Sequence, residues 1–140
     1  MMKTPYDTLL RFREDQETQA QLAVARGLVK MRSAQARLEM LQEAASKDAR
    51  KASSAERWEL EEQMHAAHLR SISKAKAELA SVQEELNQLR GRHRDALRQR
   101  KIAEHLVQEA RQERRVQQSR AEQRALDDLN AARFGQATSL

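Results

Sequence analysis

The chain has 140 residues, a net charge of +5, 34% charged residues and 3% aromatic ones. So little apolar mass excludes a round globule with a thick core, and a composition rich in Ala, Glu, Lys, Leu, Arg and Gln points to long helices or coiled coils. There is no cysteine, which excludes disulfides and thiol chemistry; no apolar run of about 18 residues is available to span a membrane, and the amino-terminal Met1-Met2-Lys3-Thr4-Pro5-Tyr6 lacks a signal core, so a soluble intracellular protein is expected.

The fold class this predicts is all-α: an antiparallel two-helix coiled-coil hairpin, a rod, forming a single domain over residues 1–140. Helix 1 is expected over about residues 5–46, with Thr4 as its cap and Pro5 in its first turn, where a missing N–H costs nothing. Its apolar seam runs Ala20, Val24, Gly27, Met31, Ala34, Leu38, Leu41, Ala45. The steps alternate four and three, the repeat of a left-handed coiled coil. Small residues at Ala20, Gly27 and Ala34 let a partner helix come close, which offsets the helix propensity lost at Gly27, up to about 1 kcal/mol.

The seam then fades into the polar run Ser46 to Ser54. A turn is placed at about 47–55, and Ser53-Ser54-Ala55-Glu56 reads as a capping box. The alternative is one continuous helix with a stutter there, dimerising with another copy. Helix 2 is expected over about 56–134, with a seam of Ile72, Ala75, Leu79, Val82, Leu86, Leu89, His93, Ala96, Arg100, Ala103, Val107, Ala110. This seam projects back to Trp58 and is one residue out of phase with the first, as a turn between two paired helices requires. Gly135 is expected to end helix 2 and leave a frayed tail at 135–140.

Catalytic constellations are absent. Glu61-Glu62, Glu84-Glu85 and Asp127-Asp128 are sequence neighbours, which do not face one another on a helix. His65 and His68 share a helical face beside Glu61 and Glu62, yet no third ligand of fixed geometry accompanies them, so no metal and no cofactor is assigned. His93 reads as a packing residue. Trp58 either anchors the start of helix 2 or marks a contact surface. Arg90 to Arg124 carries 11 Lys/Arg against 5 Asp/Glu, a basic excess suited to an acidic protein surface, nucleic acid or anionic lipid. Without interleaved aromatics it has no platforms for stacking bases.

The order and spacing of several segments resemble the flagellar FliJ-type export proteins. These are Tyr6-Asp7-Thr8-Leu9-Leu10-Arg11-Phe12-Arg13-Glu14, Leu22-Ala23-Val24-Ala25, Ala36-Arg37-Leu38-Glu39-Met40-Leu41, Arg57-Trp58, and Glu122-Gln123-Arg124-Ala125-Leu126-Asp127-Asp128-Leu129. The resemblance covers nearly the whole chain. It implies a small antiparallel coiled coil, similar to the central stalk of rotary ATP synthases, that acts in the flagellar type III export apparatus. Such a protein is not an enzyme. The partners it implies are the hexameric export ATPase, the export-gate membrane protein and unladen export chaperones, with a cytoplasmic location peripheral to the membrane. The implied gate face is Arg37, Leu41, Ala44, Asp48, Met64, His68, Ser71 and Ala75. The implied ATPase end includes Arg13, Glu14, Gln16, Ala20 and Ala23. Alternatives are a basic coiled coil that binds nucleic acid or an acidic surface, the stalk of a virulence-type secretion system, and a helical holdase.

Overall fold

The computed structural model describes residues 3–47 and 55–138, with side chains described as far as Gly135. The architecture is all-α: two long helices packed against each other as an antiparallel hairpin. Helix α1 spans Tyr6–Ser46 and α2 spans Ala55–Thr138. The expected turn lies almost wholly outside the described residues, as do Asp48 and the two serines of the expected capping box.

The start of α1 follows from its sequence. Thr4 occupies the cap position and Pro5 the first helical position. Asp7 closes the turn: its carboxylate accepts from the Thr4 N–H, while its own N–H donates to the Thr4 carbonyl at 3.1 Å. The bond from the Thr4 N–H is one of the two that make a capping box, with Asp in the place of the usual Glu. At the other end the Lys47 N–H donates to the Glu43 carbonyl at 3.1 Å, and the Lys47 ammonium meets the Glu43 carboxylate at 3.0 Å. A cation there complements the negative end of the helix dipole.

Helix α2 corrects one boundary. It runs through Gly135 to Thr138, whereas the sequence placed its end at residue 134. A glycine stops a helix by turning left-handed, and no glycine here has a positive φ. Gly135 therefore costs α2 only its weak propensity.

Contacts divide the chain into two compact units, where the sequence reading has one domain. The first joins Met1–Gln16 with Leu97–Leu140; the second is Glu17–Ala96. In the second unit the two seams meet as anticipated. On α1, Gly27 is buried and Ala20, Val24, Met31, Ala34, Leu38, Leu41 and Ala45 are half-buried. On α2, Ala75 and Leu86 are buried, with Ile72, Leu79, Val82, Leu89, His93 and Ala96 half-buried. The pairing is antiparallel: Gly27 lies against Leu86 and Leu89, whereas Arg37, further along α1, reaches back to Glu78. A Cβ at position 27 would stand 3.1 Å from a methyl carbon of each leucine, so the glycine does permit close approach. Leu86 is 2% exposed, and such burial contributes about 2 kcal/mol.

In the first unit Ala103 and Val107 are buried. Arg100 and Ala110 are half-buried beside them, and Leu9, Leu10 and Arg13 are half-buried on α1. This pairing is antiparallel too. The Arg111 guanidinium donates to the Asp7 carboxylate at 3.1 Å, and Arg114 donates to the Lys3 carbonyl. From Arg115 to Gly135 every residue of α2 is exposed.

Candidate interaction surfaces

Among the described residues the hollows along the paired helices are open to solvent, so a site along them lies on the surface. The residues of the implied gate face all fall in the second unit. The structure separates them into two kinds. Ala75 is 4% exposed and Leu41 is half-buried; both are seam residues that α1 and α2 use to hold each other. Ala75 therefore has no surface to offer a partner while the helices are paired, because the helical repeat that places it in the seam turns its methyl inward. Arg37, Ala44, Met64 and Ser71 are exposed, and His68 is half-buried. Arg37 already meets Glu78 at 3.6 Å, with both side chains half or more exposed, a pair worth at most about 1 kcal/mol and readily exchanged for a partner's carboxylate.

Around Met64 the start of α2 carries more apolar surface than the sequence reading assigned to it. Trp58 is 52% exposed, so it is not sunk between the helices as an anchor; it stands at the surface with Leu60, Met64 and Leu69, each about half exposed. The seam positions projected back from Ile72, namely His68, His65 and Glu61, are half-buried. Trp58 lies one step beyond them. The i, i+3 and i, i+4 spacing that could have flagged Leu60 and Met64 was hidden by the four surrounding glutamates, Glu56, Glu59, Glu61 and Glu62.

Of the implied ATPase end, Arg13, Glu14 and Gln16 lie in the first unit. The Arg13 guanidinium donates to the Gln16 side-chain carbonyl at 2.9 Å and sits 5.6 Å from the centre of the Phe12 ring, within cation–π range. Glu14 borders an open groove of about 360 Å³ shared with Lys3, Asp7, Thr8, Leu10, Arg11 and Arg111. Ala20 and Ala23 belong to the second unit and are half-buried.

The basic excess is partly spent inside the fold. Arg100 holds Glu104 at 3.0 Å and His105 meets Glu109 at 3.0 Å. Arg111 and Arg114 tie α2 to the amino terminus. The Thr4 N–H, and after it the neighbouring Arg111 guanidinium, hold the Asp7 carboxyl below its ordinary value of 3.8. Arg115, Arg120 and Arg124 remain on the exposed run of α2.

Among the described residues no group of three His, Cys, Asp or Glu is arranged to hold a metal, and no helix is long and apolar enough to cross a membrane. His93 is half-buried in the seam with a buried Nε2 that has no hydrogen-bond partner, which fits a packing residue. Comparison with known proteins gives one finding: the family model described as "Flagellar FliJ protein" matches residues 2–139. No curated protein matches, and no solved structure does.

Proposed function

The chain belongs to the flagellar FliJ family, whose members are components of the flagellar export apparatus, and from that premise we propose that it is a non-catalytic stalk. In this reading it promotes assembly of the hexameric export ATPase and couples it to the export gate and to export chaperones. It works in the cytoplasm, peripheral to the membrane through its partners. The observation that carries the reading, beyond the family match, is the run of α2 after Arg114. That run is helical, exposed at every residue from Arg115 to Gly135 and basic at Arg115, Arg120 and Arg124. A segment inserted in a ring needs a helix with its sides open to the ring, and acidic collar residues would meet those arginines.

Arg13, Glu14 and Gln16 supply the α1 side of the ATPase contact, while Ala20 and Ala23 act by packing, given their half-burial. The gate contact is carried by Arg37, Ala44, Met64, His68 and Ser71, with Leu41 behind them; Asp48 remains with the same face by resemblance alone.

The test is co-purification with the hexameric export ATPase, with and without nucleotide, alongside the rate of ATP hydrolysis. Stimulation is expected for the native chain. Arg115→Glu with Arg120→Glu should weaken it, most at low ionic strength, since exposed charges are screened by salt. Arg111 is unsuitable for this purpose because it holds Asp7, and its loss would disturb the pairing of the helices. Sub-micromolar nucleic-acid binding at physiological salt, with a steep salt dependence and no association with the ATPase, would replace the stalk by the nucleic-acid reading.

A further inference from the structure

Helix α1 is apolar on two opposite sides. The seam side faces α2. At about 100° per residue, Leu22, Ala25, Val29, Ala36 and Met40 fall together on the other side, roughly opposite Gly27. All five are exposed, Leu22 by 52%, Val29 by 64% and Met40 by 71%. Leu22, Val29 and Ala36 are spaced by sevens, and Ala25 falls between the first two. That is the spacing of a second coiled-coil stripe, within the second unit throughout.

The surface also has the matching relief. Leu22, Ala25, Arg26 and Val29 enclose an open hollow of about 290 Å³. These are positions i, i+3, i+4 and i+7, the four residues that form the hole for a knob from a facing helix. The charge beside the stripe is basic. Arg26 and Arg32 border it, and from Thr18 to Leu38 α1 has no Asp or Glu; Lys30 and Arg37 lie toward the seam, where they share a groove with Glu78 of α2.

We propose that this outward face of α1 docks an acidic amphipathic helix of another protein, laid along Leu22, Val29 and Met40 with its glutamates toward Arg26 and Arg32. Charge selects this occupant over a second copy packed parallel, α1 to α1, which would set Arg26 and Arg32 against the same two arginines. The stripe ends where Glu39 and Glu43 reverse the charge, which gives the docked helix a length of about three heptads and a fixed polarity of charge along it. The inference stands on this surface alone and is independent of the stalk reading.

A synthetic helix of about three heptads tests it, with Leu and Ala at a and d and Glu at e and g, against a counterpart with Lys at e and g. Titrated onto the full chain, the Glu peptide should shift amide resonances of residues 22–40 and bind more weakly as salt rises, and the Lys peptide should not bind. Val29→Gln with Met40→Gln should weaken the Glu peptide at least about tenfold without loss of helicity, both side chains being exposed. Arg26→Glu with Arg32→Glu should exchange the preference to the Lys peptide. Equal affinity for the two peptides, or binding indifferent to both double variants, overturns the proposal. So does concentration-dependent dimerisation of the chain that Val29→Gln with Met40→Gln abolishes, or binding to anionic phosphatidylglycerol vesicles abolished by the same variant, since the face would then belong to a second copy or to a lipid surface.

Discussion

Gly27 shows how a single side chain sets the spacing of the two helices. Replacing it with Ala adds helix propensity of up to about 1 kcal/mol but pushes a Cβ to 3.1 Å from the methyl carbons of Leu86 and Leu89. The two effects oppose, so Gly27→Ala should leave stability within about 1 kcal/mol of the native chain. Gly27→Leu adds volume that the buried Leu86 has no room to admit and should cost about 1–3 kcal/mol; urea unfolding followed by circular dichroism measures both, and an unchanged midpoint for Gly27→Leu would show that the helices are not closely paired there. At the amino terminus, Asp7 makes a pH-dependent contact. Its carboxyl is held below 3.8 in the folded chain, first by the Thr4 N–H and then by Arg111. A depressed folded pKa means the contribution is complete above the unfolded value and is lost as pH falls through the folded one. Carboxyl titration by NMR should place the Asp7 midpoint below 3.8, and Asp7→Asn should remove the corresponding step in amide shifts at Thr4 and Arg111.

At the scale of the element, burial predicts a gradient of protection along α2. Around Leu86 the helix is locked by packing, whereas from Arg115 to Gly135 every residue is exposed. A solitary helix of about two dozen residues is marginal in water, and local opening free energy follows buried contacts. Amides near Leu86 should therefore exchange slowest and those of 118–135 fastest, read by hydrogen exchange; uniform protection across α2 would mean that the exposed run has a partner in the isolated protein. The elements also show what the sequence made legible. The four-three alternation picked out both seams, because a helix buried against one neighbour has only one stripe to pattern. Every residue named for the α1 seam is buried or half-buried, from Ala20 to Ala45. The end of α2 was missed because Gly135 has the composition of a stop without the left-handed φ that makes one. The outward stripe on α1 was missed for a different reason: its leucine, valine and methionine alternate with the seam residues, so in one dimension they read as part of the same apolar run.

For the whole molecule, the fold class was legible and the interaction surfaces were legible only by resemblance. Periodicity reports what the chain buries in itself, and a face reserved for another protein leaves no complementary pattern within the same chain. That is why Ala75 could be named for a partner when the structure places it in the seam. The described core is thin, with Ala75, Leu86, Ala103 and Val107 the buried apolar side chains, so the isolated chain should be of low stability. Because the pairing is intramolecular, its thermal midpoint should not change with protein concentration, whereas a bound partner should raise it in proportion to RT ln(1 + [L]/Kd). Calorimetry over a hundredfold dilution checks the first statement; a midpoint that falls on dilution would return the chain to the continuous-helix dimer.

The two-sided α1 also poses a choice to the growing polypeptide. It leaves the ribosome before α2 and displays two stripes to which an incoming apolar helix can close, and nothing in their spacing distinguishes them. Discrimination rests on crevice depth. One side has Gly27, into which Leu86 and Leu89 settle. Closure onto the other would meet the side chains of Leu22, Val29 and Met40 with no glycine among them, which holds the incoming helix further off and forfeits close contacts. The shallower face is the one left open for the helix of another protein.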